Sequence, residues 1–498
     1  MKPMGTITKY FQFIDDESRV ILESLMDESR NYYDFVKRLD EVVLNNKVPI
    51  NLAYLAAVHT WWCRLTDLAN QIQEKYEDVP CIRPWGYLHV VMTQLEKERE
   101  RVVEAINRAK DTQLDDWMEV EFHIIHSYFH YPVHGDISSM LKPLEKAEAL
   151  IEINPLLACF EPLIYALKGW AMLLEGDAEN SLEILEKGKR IAESYNDSLF
   201  WYVIVINEGA VLLNHDVQLA MIRFQELYEL VLDFDVPYLL SEVLNDSAIV
   251  FETAGEYDLA ISSHIEVRDI IGENYWTSMI LSRIYSTLGD GQKAFDEINQ
   301  FIDQHGPPDH HSWGLRRARA FALLGRVNEA EQDLDDVHAQ IMKTGWDTLE
   351  GNYYHISGVI EMARGEFHAA LDTLEKSWAI AERMPRFLSR SIVLLDLART
   401  ELHLLKESSD TTGSATPGKW LTRLEKHATD HDLPGIKMQA ALLKSEFYQH
   451  HDQFKDAQGI LQEALEITDS LGVGTLRNRI IERIDELTHL IEKSNTGK

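Results

Sequence analysis

The chain is poor in cysteine: 498 residues hold only Cys63, Cys81 and Cys159. They form no C-x-x-C pair, and their odd number argues against a disulfide framework and fits a reducing compartment. No run approaches about 20 uninterrupted apolar residues, so no membrane-spanning helix is expected. The opening MKPMGTITKYFQF lacks the apolar core and cleavage motif of a signal peptide, and a cytoplasmic protein is expected. Basic residues are also scarce. The 48 Lys and Arg face 82 Asp and Glu, for a net charge of −34. Such a surface repels phosphate backbones and anionic headgroups, so neither nucleic acid nor membrane is the expected partner.

Apolar residues are plentiful, at 45% of the chain, which is ample for a large core. The length allows roughly three domains or one long repeat array. Strict apolar–polar alternation is rare, and the helical period dominates. In EPLIYALKGWAMLLEGD, Ile164, Leu167, Ala171 and Leu174 fall on one helix face. The fold class is therefore all-α.

A turn recurs along the chain. A glycine ends one helix, and a small residue follows five positions later on the next. The copies are Gly255…Ala260, Gly289…Ala294, Gly325…Ala330 and Gly365…Ala370, with Asp452…Ala457 as a weaker one. The alanines recur at 34, 36 and 40 residues, and the 87 residues before Ala457 hold one further degenerate repeat. Seven positions before each turn lies another small residue: Ala248, Ser282, Ala318, Gly358 and Ser445. Two helices of a hairpin approach most closely at such points. Earlier copies run through Gly169 and Gly176 to Ser181 and from Asn214 to Ala220, and a first one centres on Gly135–Asp136.

The pattern resembles the tetratricopeptide repeat family, a 34-residue helix–turn–helix unit, over residues 113–490. The resemblance implies a right-handed α-solenoid of about eight stacked hairpins. It also implies a concave face, lined by the first helix of each pair, that binds a peptide or partner protein. The segment TLRNRIIERIDELTHLIEK fits a terminal capping helix. Residues 1–112 lack the turn and read as three long helices, about 16–46, 50–76 and 84–110, forming a bundle or cap on the array. Asp15 or Asp16 is placed to cap the first. Pro49 and Pro84 stand at the starts of the other two. Residues 410–420, rich in Gly, Ser and Thr, read as a flexible loop.

Candidate chemistry is sparse. Glu119, His123, His126 and His130 share one helix face at spacings of four, three and four. Paired histidines of this kind can chelate zinc, yet neither H-E-x-x-H nor Glu-x-x-His spacing occurs on this helix, and a solvated or groove-lining stripe is the expected reading. The run from Gly413 to Lys419 matches a phosphate-binding loop, but Trp420 stands where the magnesium-binding hydroxyl belongs. No G-x-S-x-G, G-x-G-x-x-G or catalytic cysteine signature occurs. No cofactor is expected, and the protein reads as a non-enzymatic scaffold.

One arginine concentration stands out in the acidic chain. SWGLRRARAFALLGR holds Arg316, Arg317, Arg319 and Arg326 with no acid between them. By the family geometry, Arg283 and Arg319 follow the small packing position and face the groove. Arg316 lies one turn before Arg319, and His355 one turn before Gly358. Asn245 and Asn352 supply amide hydrogen bonds. Such a wall can clamp an acidic peptide or a C-terminal carboxylate, or its arginines can pair with acids between repeats. The leading expectation is an adaptor that binds protein or peptide in this groove. The alternative is a sensory or regulatory module acting on a separate effector chain. Neither the partner nor the oligomeric state is written in the sequence.

Overall fold

The computed structural model describes residues 4–76, 79, 82, 114–134, 137–213, 215–306, 312–344, 347–383, 387–407, 418–471 and 475–496. Among these, every regular element is helical and no strand occurs. The chain forms two compact units. The first comprises Met1–Val211 with Ile222–Val243, and the second Leu212–Met221 with Leu244–Lys498.

In the first unit, α1 (Asp16–Glu28), α2 (Tyr32–Asn45), α3 (Ile50–Trp62) and α4 (Thr66–Lys75) pack in sequence. Two expected long helices are therefore each broken in two. Asn31 ends the first continuity because its side chain accepts the Asp34 amide at 2.8 Å and starts a new helix. Arg64 ends the second, with a left-handed φ of 54°. Asp15 caps α1 through the Ser18 amide at 2.8 Å. The third expected helix, 84–110, lies outside the described residues.

The hairpins then begin. Helices α5 (Asp116–His134) and α6 (Ile137–Ile153) pair, as do α7 (Glu161–Glu175) and α8 (Ala178–Ser194). Helices α9 (Ser198–Leu212) and α10 (Val217–Phe234) follow. The run Pro155–Glu175 has the length and hydropathy to cross a bilayer, but over half of it is buried inside the protein. The N-terminal residues are tied into this unit. Lys9 pairs with Asp197 at 2.5 Å, both fully buried, and Thr6 donates to the same carboxylate at 2.8 Å.

In the second unit the helices are α11 (Pro237–Ala254, shared with the first unit), α12 (Tyr257–Ile271), α13 (Tyr275–Leu288), α14 (Gly291–His305), α15 (Ser312–Leu323), α16 (Val327–Thr344), α17 (Asp347–Arg364) and α18 (Phe367–Ala381). They continue with α19 (Phe387–Glu407), α20 (Lys419–Asp430), α21 (Pro434–His450), α22 (Phe454–Leu471) and α23 (Thr475–Thr496). From α13 onward each helix packs on its neighbours in sequence. The odd-numbered helices also pack on one another, α13 on α15, α15 on α17 and so on to α23. That is the pattern of stacked hairpins, each covering an apolar stripe that one hairpin alone leaves in water. The degenerate repeat is the pair α19–α20, and α23 is the expected terminal helix.

The turns form as the sequence requires. Gly255, Gly289, Gly325 and Gly365 all take positive φ, where glycine bears no Cβ penalty. Asp452 takes the same conformation at φ 57° without glycine's freedom. The paired small residues are buried where the helices meet. Ala260, Ala294, Ala330, Ala370 and Ala457 are fully buried, and the Ser282 hydroxyl donates to the Ala294 carbonyl at 2.8 Å. A Cβ on Gly358 would stand 2.6 Å from Leu374 Cγ.

The array in the second unit also returns on itself. One buried cluster joins Ala248, Tyr257, Ala260 and Ile284 with Met438, Leu461, Leu476 and Ile480. Helices α12 and α23 touch, and Gln439 donates to the Tyr257 hydroxyl. The loop expected at 410–420 is shorter at its end, because Lys419 and Trp420 already belong to α20. Trp420 is buried, and the Glu401 carboxylate accepts its amide at 2.8 Å. Residues 408–417 lie outside the described residues.

Packing at the hairpin contacts sets a test. Gly358→Val should lower unfolding free energy by about 1–3 kcal/mol in denaturant titrations followed by circular dichroism. Gly459→Ala, inside α22 and facing open space, should instead raise it by about 0.5–1 kcal/mol. A Gly358→Val protein as stable as wild type would mean that this contact does not control the hairpin.

Candidate functional site

The inner helices of the second unit bring together most of the residues singled out for the groove. Glu252 comes from α11, Arg283 from α13, Arg316 and Arg319 from α15, His355 from α17, and Asp396 and Arg399 from α19. Each belongs to the first helix of its hairpin, so one repeat position after another delivers a polar group to the same interior.

Most of these groups are paired with one another. Arg283 Nη2 donates to Glu252 Oε2 at 2.6 Å, and the Glu252 carboxylate is buried. Arg319 is 3% exposed, and its Nη2 donates to Asp396 Oδ2 at 2.9 Å. His355 Nε2 lies 2.9 Å from the same oxygen, and Arg399 Nη1 donates to Oδ1 at 2.9 Å. Burial alone would raise the Asp396 carboxyl. Arg319, the His355 hydrogen bond and Arg399 outweigh that and hold it well below the usual carboxylate range. Burial lowers the His355 imidazole below its ordinary value even against the pull of Asp396. The ring is neutral at neutral pH, and the carboxylate selects the tautomer with Nε2–H as donor. Asp396 was not anticipated, because nothing in the sequence separates it from the other acids.

Arg316 is the exception. It is partly exposed and has neither an ion pair nor a hydrogen bond among the described residues. Burial, then the like charges of Arg283 and Arg319, pull its guanidinium down to about 9, which still leaves it charged at neutral pH. Further bonding capacity remains beside it. Arg283 Nε, Arg319 Nε and Glu252 Oε1 are buried without hydrogen-bond partners among the described residues. Four arginines share two carboxylates here, so this interior is positive within an acidic chain.

The other expected residues divide. Asn245 is occupied by His264, at 3.0 Å between Oδ1 and Nδ1. Asn352 is exposed, one turn before His355. Arg317 leaves the group and binds Asp333 with two contacts, at 2.7 and 2.5 Å. Arg390 donates to the Ala381 and Glu382 carbonyls and closes the end of α18. Pairing between repeats therefore accounts for much of the arginine concentration.

Among the described residues, the histidine face of α5 shows these contacts: His123 Nε2 lies 3.8 Å from Glu119 Oε1, and His126 stacks on Phe122 at 5.8 Å. The side chain of His130 lies outside the described residues. No group of three His, Cys, Asp or Glu suited to a metal occurs among the described residues. Cys63 and Cys159 are buried thiols whose pKa values burial pushes up, and Cys81 lies outside the described residues.

The first unit buries titratable groups of its own, which the sequence reading missed. Asp40 accepts from Thr60 at 2.6 Å, and burial pushes its carboxyl up to about 8. Glu121 accepts from the Tyr10 hydroxyl at 2.6 Å, and burial pushes it up to about 7. His59 lies 2.7 Å from the Tyr32 hydroxyl, and burial pulls it down to about 3.

No family model matches the chain, and no curated protein matches it. Among solved structures, it resembles a signal-transduction ATPase with a tetratricopeptide repeat sensor from Pyrococcus horikoshii. There the TM-score is 0.44 and the identity 16%, over 73% of this chain and 52% of that one. It also resembles human IFIT1, seen as a dimer with m7Gppp-AAAA, at TM-score 0.41 and 14% identity over 80% of this chain and 88% of that one. A third is a Rap protein complexed with Competence and Sporulation Factor, at 0.40 and 12% over 76% and 99%. These likenesses are distant and their bound partners differ in kind, so what this chain binds rests on its own residues.

Two pH dependences of opposite sign follow. Asp40 and Glu121 hold their protons more tightly folded than unfolded. Their contribution is complete below the ordinary carboxylate range and is lost as pH rises through about 7 to 8. The thermal midpoint should fall as pH rises from the ordinary carboxylate range to about 8, and Asp40→Asn with Glu121→Gln should flatten the fall. Asp396 is shifted downward, so its contribution is present above about pH 4 and is lost as pH falls. Asp396→Asn, which strands three cationic or imidazole partners, should cost about 3–5 kcal/mol at neutral pH and remove that acid sensitivity.

Proposed function

We propose that the protein is a non-catalytic peptide-binding module of the sensory or regulatory kind. The inner helices of its second unit receive an acidic segment of a partner, with one carboxylate on Arg316. The observation that carries this reading is the charge balance around that side chain. Arg283 is committed to Glu252, Arg319 and Arg399 are committed to Asp396, and Arg316 makes no close ion pair among the described residues, with Glu252 acting on it only at longer range. A carboxylate supplies that charge and forks onto a guanidinium with two parallel hydrogen bonds.

The regulatory reading has its own support in the geometry. Arg319 lies one turn from Arg316 and bonds Asp396 across 77 residues of sequence. An anion seated on Arg316 competes with Asp396 for Arg319 and reduces the like-charge repulsion within the cluster. Binding is then coupled to the contact between α15 and α19, because the anion interacts differently with the two arrangements.

Calorimetric titration with short acidic peptides, each with a free or an amidated C-terminus, tests the reading. Arg316→Gln should weaken binding by about ten- to a hundred-fold, the value of one charge-assisted contact. Arg317→Gln, whose charge is already matched by Asp333, should leave it unchanged. If Arg316→Gln binds every peptide as wild type does, Arg316 is not the carboxylate site.

A further inference from the structure

A second site lies in the first unit and does not depend on the peptide reading. A chamber of about 220 Å³ opens among α3, α5, α7, α9 and the start of α11. Interiors of this kind are normally packed without voids much larger than a water, so a space of this size calls for an occupant. A cavity of roughly 150 Å³ already admits benzene.

The walls are unusually aromatic. Trp61, Trp62, Tyr128, Trp170, Tyr202 and Tyr238 line it, with Leu163, Leu167 and Ile206 between them. Trp61 and Trp62 meet edge to face at 4.4 Å, and Tyr128 lies 6.1 Å from Trp170. Two charged groups of opposite sign are set into this wall. Arg64 follows the end of α3 in the left-handed conformation that turns the chain there. Its guanidinium lies 4.4 Å from the Trp61 ring and 4.8 Å from Tyr238. No acid lies within ion-pair distance of it among the described residues, and its buried Nη1 has no hydrogen-bond partner among them. Glu242 accepts the Tyr202 hydroxyl at 2.6 Å, which leaves its other oxygen to bond elsewhere. Arg64 and Glu242 both act electrostatically on the Tyr128 hydroxyl, so they flank one part of the chamber. Glu121 and Asn207 also line it, Glu121 already engaged by Tyr10 and Asn207 by the Val203 carbonyl.

An uncharged apolar ligand would leave Arg64 unmatched. A cation would meet Arg64, and a simple anion would meet Glu242. The complement of a wall with one charge of each sign and an aromatic box is a zwitterion with a large apolar group. We propose that this chamber binds a free amino acid with an aromatic or branched aliphatic side chain. Its carboxylate pairs with Arg64, its ammonium with Glu242, and its side chain lies among Trp61, Trp170 and Tyr202. The aromatic faces supply apolar area at fixed geometry, and the ion pairs are sheltered from water, which strengthens them.

Calorimetry and thermal shift on the full chain test this with tryptophan, phenylalanine, leucine and glycine. Tryptamine lacks the carboxylate, indole-3-propionate lacks the ammonium, and indole lacks both. The large apolar amino acids should bind and raise the melting temperature, and glycine should not. Each single-charge analogue should bind about ten-fold or more weakly, as expected for one lost charge-assisted contact. Arg64→Met should erase the preference for tryptophan over tryptamine, and Glu242→Gln the preference over indole-3-propionate. Ile206→Trp fills the chamber without touching either charge and should abolish binding with helicity intact. Indole binding as tightly as tryptophan would reduce the site to an apolar cavity and overturn the assignment. Failure of every amino acid at millimolar concentration would overturn it as well, as would binding unaffected by Ile206→Trp.

Discussion

The close approach of two helices at a pair of small residues is the constraint on which the second unit depends. A hairpin that carries Gly358 opposite Ala370, or Ser282 opposite Ala294, can bring its backbones together only there. That contact fixes the rotation of each helix about its own axis. Once the rotation is fixed, the neighbouring residues on the same side of each helix share one face. Arg283 and Arg319 follow Ser282 and Ala318 directly, and Arg316 precedes Arg319 by one turn. The positions of the charges are therefore consequences of where the chain has no side-chain bulk.

That arrangement creates an electrostatic problem which the fold solves only in part. Asp396 accepts from Arg319, His355 and Arg399, and Glu252 accepts from Arg283. Pairs this well buried add little net stability over an apolar core, yet removing one partner is costly because the others stay behind unmatched. Arg316 has no such partner among the described residues. Four arginines around two carboxylates leave this interior net positive within a chain of charge −34.

The first unit meets the same problem differently. Asp40, Glu121 and His59 are buried with hydroxyl partners rather than opposite charges, and burial drives each toward its neutral form. Lys9 and Asp197 are the exception, a fully buried ion pair that ties the N-terminal residues to the start of α9. The aromatic chamber lies within this unit, where packing has left a space bounded by rings and by two charges.

The sequence by itself determined the helical class, the hairpin period and the turn glycines. These are local facts: a 3.6-residue period, a left-handed turn and a small residue at a contact are each legible within a few positions. The family resemblance led to Arg283, Arg316, Arg319 and His355 as candidates. Only the tertiary structure decided which of them are matched. Asp396 is one acid among 82, and its role arises from contacts 41 and 77 residues away that no local pattern records. The breaks at Asn31 and Arg64, the return of α23 onto α12 and the chamber among Trp61, Trp170 and Tyr238 have the same origin. Each depends on which distant surfaces meet, and that is settled by packing and charge pairing once the helices have formed.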